Sequence, residues 1–283
     1  MRRAGPLLVV GAAVLWGTTG TAQALGPTAD PFSVGAVRLA VGGTGLLAAG
    51  ALTGGLARMR RLPPGPLALA ALGVAAYQPL FFAGVGRSGV AIGTVVAIGT
   101  GPIVAGLLAF LVEGWRPTLR WTAATLVAVA GVGLIGSPGG EADLWGVLLA
   151  AGAGTSYAVY AVVAKRMLDR ASPVTVMAGV FGLGAALSLP GLLMVDLSWL
   201  GRPDGMLMAA WLGLGATTAS YLLFGLGLRL TPVANAVTLS LAEPLTAVAL
   251  GVMVLSERPP ATAWVGAFLL LAGLAVAGTE VEE

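Results

Sequence analysis

The feature that most constrains this chain is a succession of apolar stretches of about 20 residues, separated by short polar connections. A helix of that length, at about 1.5 Å per residue, crosses the hydrocarbon core of a bilayer, which is about 30 Å thick. Of the 283 residues, 57% are apolar and only 10% are charged, whereas about a quarter of a soluble domain is charged. The sequence therefore predicts a polytopic membrane protein and excludes an ordinary soluble enzyme.

Ten of these stretches are predicted to be membrane-spanning helices. They cover residues 6–25, 32–52, 65–86, 89–112, 118–136, 143–165, 173–195, 205–228, 232–256 and 260–279. The connections between them are too short to hold a soluble domain. The predicted fold class is therefore an all-α integral membrane protein with ten transmembrane helices.

The basic residues predict the orientation, because the cytoplasmic loops of membrane proteins are enriched in Lys and Arg. With a cytoplasmic N-terminus, the cytoplasmic side would hold Arg2, Arg3, Arg58, Arg60, Arg61, Arg116, Arg120, Lys165, Arg166, Arg170 and Arg229. The opposite side would hold only Arg87, Arg202 and Arg258. We therefore expect a multi-pass protein of the cell inner membrane with both termini in the cytoplasm.

The first stretch has an alternative interpretation as a cleavable signal peptide. Arg2-Arg3 precede it, and Ala22-Gln23-Ala24 resembles a cleavage site. Trp16 and Thr19 argue against this, since the core of a signal peptide is plainly apolar. Removal of the segment would also leave nine spans, so we interpret it as the first helix.

An internal repeat becomes visible when the second half is placed on the first so that Phe82 falls on Phe224. This repeat alignment also pairs Arg87 with Arg229, Val95 with Val237, Pro102 with Pro244, Ala105 with Ala247, Leu108 with Leu250, Gly131 with Gly273, and Gly136 with Gly278. Each half holds five spans, and an odd number reverses the second copy in the membrane. The sequence therefore predicts a 5+5 inverted repeat, with the first copy at 1–138 and the second at 139–283 in a single membrane domain.

Inverted repeats are typical of secondary transporters, because two copies of opposite orientation can exchange conformations around a site at the bilayer midplane. The alternative is that the duplication only built a stable bundle. The many Gly and Ala residues fit either explanation, because small residues allow helices to approach closely in lipid.

The residues resemble the EamA-type, ten-helix members of the drug/metabolite transporter superfamily. The resemblance rests on Trp16-Gly17 in the first span, Arg38 in the second, Glu243-Pro244 in the ninth, Glu257 after it, and the five-plus-five repeat. It implies an exporter of small metabolites, commonly amino acids. Gly101-Pro102 replaces the Glu-Pro pair in the first half, so any role of an acidic residue is confined to the second half.

Glu243 is the strongest single candidate, because it is the only acidic residue deep in a predicted span, where an ionisable group needs a cavity or a partner. It would bind a substrate ammonium group or exchange a proton. The alternative is that it satisfies backbone groups near Pro244, which cannot donate to the Ser240 carbonyl. Since Pro102 would likewise free the carbonyl of Ile98, spans four and nine are predicted to be an interrupted pair beside the pathway.

Three arginines at or inside the spans also have structural explanations. Arg38 lies near the extracellular end of the second span, where it would snorkel to the interface or form an ion pair; the alternative is a gate or a contact with a substrate carboxylate. Arg87 and Arg229 each follow a span and are expected to satisfy its last carbonyls.

Polar and aromatic residues cluster on one face of several spans, since residues three or four apart lie together on a helix. We predict that they line a central cavity bordered by spans 1, 3, 4, 6, 8 and 9, although plain packing is an alternative for each aromatic residue. Such a cavity suits a small amphipathic solute, and its Tyr and Phe content favours large apolar or aromatic amino acids. The predicted substrate-binding residues are Trp16, Thr19, Gln23, Tyr77, Gln78, Phe81, Tyr157, Tyr160, Tyr221, Phe224, Ser240 and Glu243, and the gating or structural residues are Arg38, Pro102 and Pro244.

The composition limits the chemistry of the chain. Without Cys or His there is no thiol or imidazole chemistry and no zinc site of the usual type, so no metal and no cofactor are expected. Lys165 is preceded by Ala164 instead of a Gly-rich loop, which excludes a Walker A motif. Scattered basic residues argue against nucleic acid. The expected partners are a small-molecule substrate and membrane lipid, and the protein is expected to be a monomer.

Two other function classes are alternatives to an exporter of small metabolites. An intramembrane enzyme would need a paired carboxylate, a Ser with a base, or metal ligands, and Glu243 stands alone. A passive facilitator of the same fold remains an alternative, which uphill accumulation of substrate would distinguish from a coupled transporter. The chain is therefore predicted not to be an enzyme.

Overall fold

The computed structural model describes residues 4–136 and 143–279, which are helical and contain no strand. Ten helices form the bundle: α1 (Ala4–Leu25), α2 (Pro31–Leu52), α3 (Pro64–Val90), α4 (Ile92–Glu113), α5 (Leu119–Ile135), α6 (Leu144–Leu168), α7 (Pro173–Leu192), α8 (Pro203–Leu230), α9 (Val233–Met253) and α10 (Ala261–Thr279). In these ranges nine are long and apolar enough to span a membrane, and α5 is apolar with 17 residues. The predicted fold class is confirmed. The predicted boundary between the halves, after residue 138, lies outside the described residues.

Several helices begin directly after a polar residue that caps them. The Asp30 side chain accepts a hydrogen bond from the Ser33 backbone N–H (3.0 Å), and the Thr118 hydroxyl accepts one from Trp121 N–H (2.9 Å). Such caps satisfy backbone donors that have no partner inside the helix. These local signals explain why the helices begin within a few residues of the predicted positions.

The junction between α3 and α4 is very short and depends on one glycine. Gly89 has φ 79° and ψ 158°, a conformation that other residues rarely adopt. Within Pro64–Glu113 it is the residue whose backbone leaves the helical region. The prediction that Pro102 interrupts the fourth span was therefore wrong, because the backbone stays helical there. The predicted interruption of the ninth span is present: α9 changes to a 3-10 turn at Ser240–Ala242, just before Glu243.

The two ends of the bundle differ in charge. We call the end at which α1 begins and α10 ends the near end, and the opposite end the far end. Among the described residues, the near end carries Arg58, Arg60, Arg61, Arg116, Arg120, Lys165, Arg166, Arg170 and Arg229, and the far end carries Arg87, Arg202 and Arg258.

Arg87 does not cap its own helix as expected. Its guanidinium instead forms an ion pair with Asp143, the residue that precedes α6. This hydrogen bond holds the pKa of the Asp143 carboxyl below its usual range. Arg87 therefore joins the α3–α4 junction to the start of α6.

The helix pairs are related by exchange of the two halves. α1 packs along α8, and α6 packs along α3 and α4, while α2 packs on α7 and α5 packs on α10. Replacing each helix by its counterpart in the other half converts the α1–α8 pair into the α6–α3 pair and leaves α2–α7 and α5–α10 unchanged.

The α5–α10 contact shows this relation at the level of single residues. A Cβ at Gly131 would lie 2.6 Å from the Gly266 carbonyl oxygen, and a Cβ at Gly273 would lie 2.7 Å from that of Ala124. The repeat alignment converts the first contact into the second. The absence of side chains at both glycines lets the two backbones touch, as small residues do in membrane bundles.

Candidate functional site: a central cavity between the two halves

A cavity of about 100 Å³ lies at the centre of the bundle, with room for several water molecules. Eight helices contribute to it, α1–α4 and α6–α9, and both halves are represented. The predicted lining helices all take part, and α2 and α7 join them. The lining residues are Trp16, Arg38, Leu39, Gly73, Val74, Tyr77, Gln78, Ala97, Ile98, Pro102, Tyr157, Tyr160, Phe181, Thr217, Tyr221, Val237, Ser240 and Glu243.

The wall of the cavity is largely aromatic. The rings of Phe181 and Tyr221 lie 4.1 Å apart between centroids, and those of Trp16 and Tyr221 lie 5.0 Å apart. Tyr160 meets Phe181 edge to face at 5.6 Å. Aromatic faces bind apolar groups and also cations such as an ammonium group.

Arg38 lines the cavity from α2 and is held by α8. Its Nε donates to the Thr217 hydroxyl (3.0 Å), and its second guanidinium nitrogen donates to the Ala216 carbonyl (3.2 Å). In the described part of the chain it forms no ion pair. This position argues against snorkelling and a structural ion pair, and a gate or a contact with a substrate carboxylate stays a prediction.

The segment of α8 that holds Arg38 is a π-helix, Trp211–Ala219. In a π-helix the backbone hydrogen bonds join residues five apart, and two side chains form bonds with the same spacing. The Thr217 hydroxyl donates to the Leu212 carbonyl (2.8 Å), and the Thr218 hydroxyl donates to the Gly213 carbonyl (3.1 Å). The Thr218 hydroxyl also lies 3.1 Å from the Gly42 carbonyl oxygen of α2. π-helical turns often occur at functional sites, and this one places a hydroxyl and a carbonyl within reach of the guanidinium.

Glu243 presents its carboxylate to the same cavity from α9. Across residues 4–136 and 143–279, this carboxylate accepts no hydrogen bond and forms no ion pair. Arg38, of opposite charge, lines the same cavity. The carboxylate follows the 3-10 turn at Ser240–Ala242 and lies at the first residue of the next α-helical segment. Since it does not bond the backbone near Pro244, it is available to a ligand.

Eight of the twelve predicted substrate-binding residues line the cavity, together with Arg38 and Pro102 from the second group. The eight are Trp16, Tyr77, Gln78, Tyr157, Tyr160, Tyr221, Ser240 and Glu243. The remaining candidates lie elsewhere.

The candidates outside the cavity are Thr19, Gln23, Phe81, Phe224 and Pro244. Phe81 stacks on Tyr77 at 5.8 Å, and Phe224 is fully buried behind Trp16 at 5.3 Å. The Thr19 hydroxyl and Pro244 are buried in the protein. Gln23 lines a separate pocket near the far end and donates to the Thr19 carbonyl of its own helix (3.3 Å).

Sequence reasoning missed Leu39, Phe181 and Thr217, among others. Leu39 and Phe181 are equivalent in the repeat alignment, so the repeat itself offered a signal that would have paired them. Thr217 reaches Arg38 through the π-helix, which no pattern in the sequence indicates. The two charged lining residues have uncharged counterparts, Val180 for Arg38 and Gly101 for Glu243.

Comparison with known proteins identifies the family. The sequence model of the EamA-like transporter family matches twice, at residues 3–137 and 144–279. The chain belongs to the EamA-like transporter family. The two EamA-like matches each cover five of the ten helices.

Relatives of this EamA-like chain are also named as transporters. It is 44% identical over 273 residues to the uncharacterized transporter YwfM of Bacillus subtilis (strain 168), covering 95% of this chain and 92% of that protein. It is 30% identical over 167 residues to an uncharacterized transporter of Archaeoglobus fulgidus, covering 59% and 60%. A solved crystal structure has the same fold, with a TM-score of 0.86 at 24% identity over 100% of this chain and 99% of that one.

EamA-like membership confirms the resemblance that the sequence carried. It indicates a multi-pass membrane protein of a family named for transporters, which implies a small-molecule substrate. The central cavity is therefore the candidate substrate site.

Proposed function

We propose that this EamA-like protein is a secondary transporter that exports small organic metabolites, most directly amino acids, by alternating access across the cytoplasmic membrane. The observation that carries the proposal is the pairing of Arg38 and Glu243 in one aromatic cavity. A zwitterion presents a carboxylate and an ammonium group together, so it complements both charges. The carboxylate would bind the Arg38 guanidinium, which matches it in geometry, and the ammonium would bind Glu243.

The aromatic wall supports a substrate with an apolar or aromatic side chain. Trp16, Phe181 and Tyr221 form one continuous surface in contact with the cavity. The Trp16 indole N–H is buried and has no hydrogen-bond partner among the described residues, so it can donate to a ligand. Substrate-binding clefts commonly combine apolar walls with a few polar groups that fix orientation.

The relation between the helix pairs supports alternating access. Because exchange of the halves converts α1–α8 into α6–α3, each pair can adopt the arrangement of the other. The charge distribution supports the orientation: cations are concentrated at the near end, which we assign to the cytoplasm together with both termini. The site residues proposed for binding are those that line the cavity.

The proposal is tested by uptake of radiolabelled amino acids into liposomes that contain the purified protein. Saturable flux of some amino acids over others is the expected result. A rise above equilibrium when a pH gradient is imposed would indicate proton coupling, whereas flux that only equilibrates would favour a passive facilitator. No saturable flux of any amino acid would overturn the amino-acid assignment.

A competition series separates recognition of a zwitterion from recognition of an apolar ring. Phenylalanine is compared with phenethylamine, which lacks the carboxylate, and with 3-phenylpropionate, which lacks the ammonium group. We expect phenylalanine to compete best. Equal competition by all three would contradict the paired-charge site while leaving transport itself intact.

A further inference from the structure

Lys165 links two helices at the near end and is not one of the residues that line the cavity. Its Nζ, from the last turn of α6, donates to the carbonyl oxygens of Leu228 (2.8 Å), Arg229 (3.1 Å) and Thr231 (3.1 Å). These carbonyls belong to the end of α8 and its junction with α9. The last carbonyls of a helix have no donor within that helix, and here the ammonium group of another helix satisfies them.

The link joins two groups of closely packed helices at a place where the first segment of α9 also packs on α3–α4. α1 packs along α8 and α9, and α6 packs along α3 and α4. Lys165 belongs to the second group, and the carbonyls it binds belong to the first. Buried side chains fill the adjacent interior, with Leu168, Leu228 and Val233 at 0% exposure. The near end is therefore tightly packed beside Lys165, which lies at the edge of this packed region.

The repeat alignment places Gln23 at the position equivalent to Lys165. Gln23 lies in the last turns of α1 at the far end, and its counterpart target is the α3–α4 junction. Its amide instead donates to the Thr19 carbonyl of its own helix. The far end thus lacks the link that the near end has.

The backbone of α1 explains this difference. α1 is interrupted at Thr18, whose hydroxyl donates to the Leu15 carbonyl (2.6 Å) and accepts from the Trp211 indole N–H (2.9 Å). The following segment, Thr19–Leu25, packs on α8 and α9, and in the described ranges its extensive contacts do not include α3 or α4. α6, the counterpart, is an unbroken helix from Leu144 to Leu168.

We propose that Lys165 is a latch that holds the near end closed, and that Gln23 forms the equivalent latch at the far end when the protein adopts the opposite conformation. In that conformation α1 straightens at Thr18, and the Gln23 amide donates to carbonyls of the α3–α4 junction while Lys165 releases those of α8. The inference goes beyond substrate binding and concerns which end is open.

Thiol accessibility tests the near-end latch, because the sequence contains no cysteine and a single introduced one reports without background. Ala161 is buried one turn before Lys165 on the same helix face. The protein with Ala161→Cys is placed in lipid nanodiscs, where both ends are exposed, and labelled with a polar maleimide. Lys165→Met is compared with Arg166→Met, which removes the neighbouring exposed cation.

We expect Lys165→Met to raise the labelling rate of Ala161→Cys by at least about tenfold, because it removes all three hydrogen bonds and one hydrogen bond to a charged group already corresponds to about that factor. Arg166→Met should leave the rate unchanged. Equal rates in all three proteins would overturn the latch. A second reporter at Val34, which is buried in the first turn of α2 at the far end, distinguishes opening of the near end from unfolding, since only unfolding would also raise its labelling and broaden the elution profile.

A second, independent test introduces a lysine at the far end to strengthen the proposed latch there. Gln23→Lys installs the near-end side chain at the equivalent position, and Ala24→Lys adds the same charge to the adjacent exposed residue. We expect Gln23→Lys alone to raise labelling of Ala161→Cys and to leave that of the far-end reporter Val34→Cys low. If both lysine variants behave alike, the equivalence of Gln23 and Lys165 is wrong. Labelling does not depend on flux, so this failure is distinguishable from failure of the transport proposal.

Discussion

The guanidinium of Arg38 on α2 donates to the hydroxyl of Thr217 on α8, with 3.0 Å between Nε and Oγ1. This bond crosses between the two halves and fixes the direction of the one guanidinium in the described cavity lining. We therefore expect a substitution at Thr217 to change how the Arg38 guanidinium faces the cavity.

Thr217→Val removes the hydroxyl while keeping the shape of the side chain. We expect the KM for a carboxylate-bearing substrate to rise about tenfold, because hydrogen bonds to charged groups contribute about 1.5–3 kcal/mol. Initial rates of uptake into liposomes measure it. Thr217→Ser is the control and should transport normally. An unchanged KM in the valine variant would mean that the Ala216 carbonyl alone positions Arg38.

Glu243→Gln keeps the size of the side chain and removes its charge. We expect phenylalanine and phenethylamine to lose affinity together, since both carry the ammonium group, while competition by 3-phenylpropionate is retained. Glu257→Gln, outside the cavity lining, is the matched control. Retained discrimination between the amine and the acid would exclude Glu243 from ammonium binding.

Phe181→Leu gives the cavity the residue that the first half carries at the equivalent position, Leu39. The smaller side chain leaves space beside Tyr221, whose ring centroid is 4.1 Å away. We expect the preference to shift toward bulkier amino acids, with a loss of stability of about 1 kcal/mol. Competition by tryptophan and by alanine against labelled phenylalanine provides the measurement. A uniform loss of transport without a change in preference would indicate a packing role only.

Gly131→Ala and Gly273→Ala test the backbone contact between α5 and α10. The added methyl group would lie 2.6 and 2.7 Å from backbone oxygens, which cannot move independently of their helices. We expect each variant to lose about 1–3 kcal/mol of stability, as overpacked cores do, and therefore to unfold at lower temperature.

Gly86→Ala provides the control for the glycine variants, because the space around its Cβ position is open to 4 Å. Alanine favours the helix over glycine, so this variant should match or exceed the parent. Thermal unfolding followed by size-exclusion chromatography compares all three. Unchanged stability of Gly131→Ala would show that the helices can separate without cost.

The helices were predictable from the sequence because their causes are local. Hydropathy set their number, and caps such as Asp30 and Thr118 set where they begin. The repeat indicated a shared cavity between the halves, and the polar and aromatic positions on α1, α3, α6, α8 and α9 supplied much of its lining.

The contacts of individual polar groups were not predictable in the same way. Arg38 meets Thr217 where α8 widens into a π-helix, at a place where Thr218 also bonds the Gly42 carbonyl of α2. Pro102 remains inside a helical backbone, although a proline removes one hydrogen bond. The Arg87 guanidinium binds the carboxylate of Asp143, which precedes α6, instead of the last carbonyls of α3. Each outcome depends on a partner distant in sequence.

The unequal charges of the two halves bear on how such a protein diversifies. Duplication supplies two walls of matching shape, but the guanidinium and the carboxylate each occur in one copy, opposite Val180 and Gly101. In the proposed transport cycle, a solute would therefore keep one direction while the two halves around it exchange conformations. Substitutions at those four positions would change which substrate binds without altering Lys165 and Gln23, the residues that we propose as latches. Substrate preference can therefore diverge among relatives while the proposed latches are inherited unchanged.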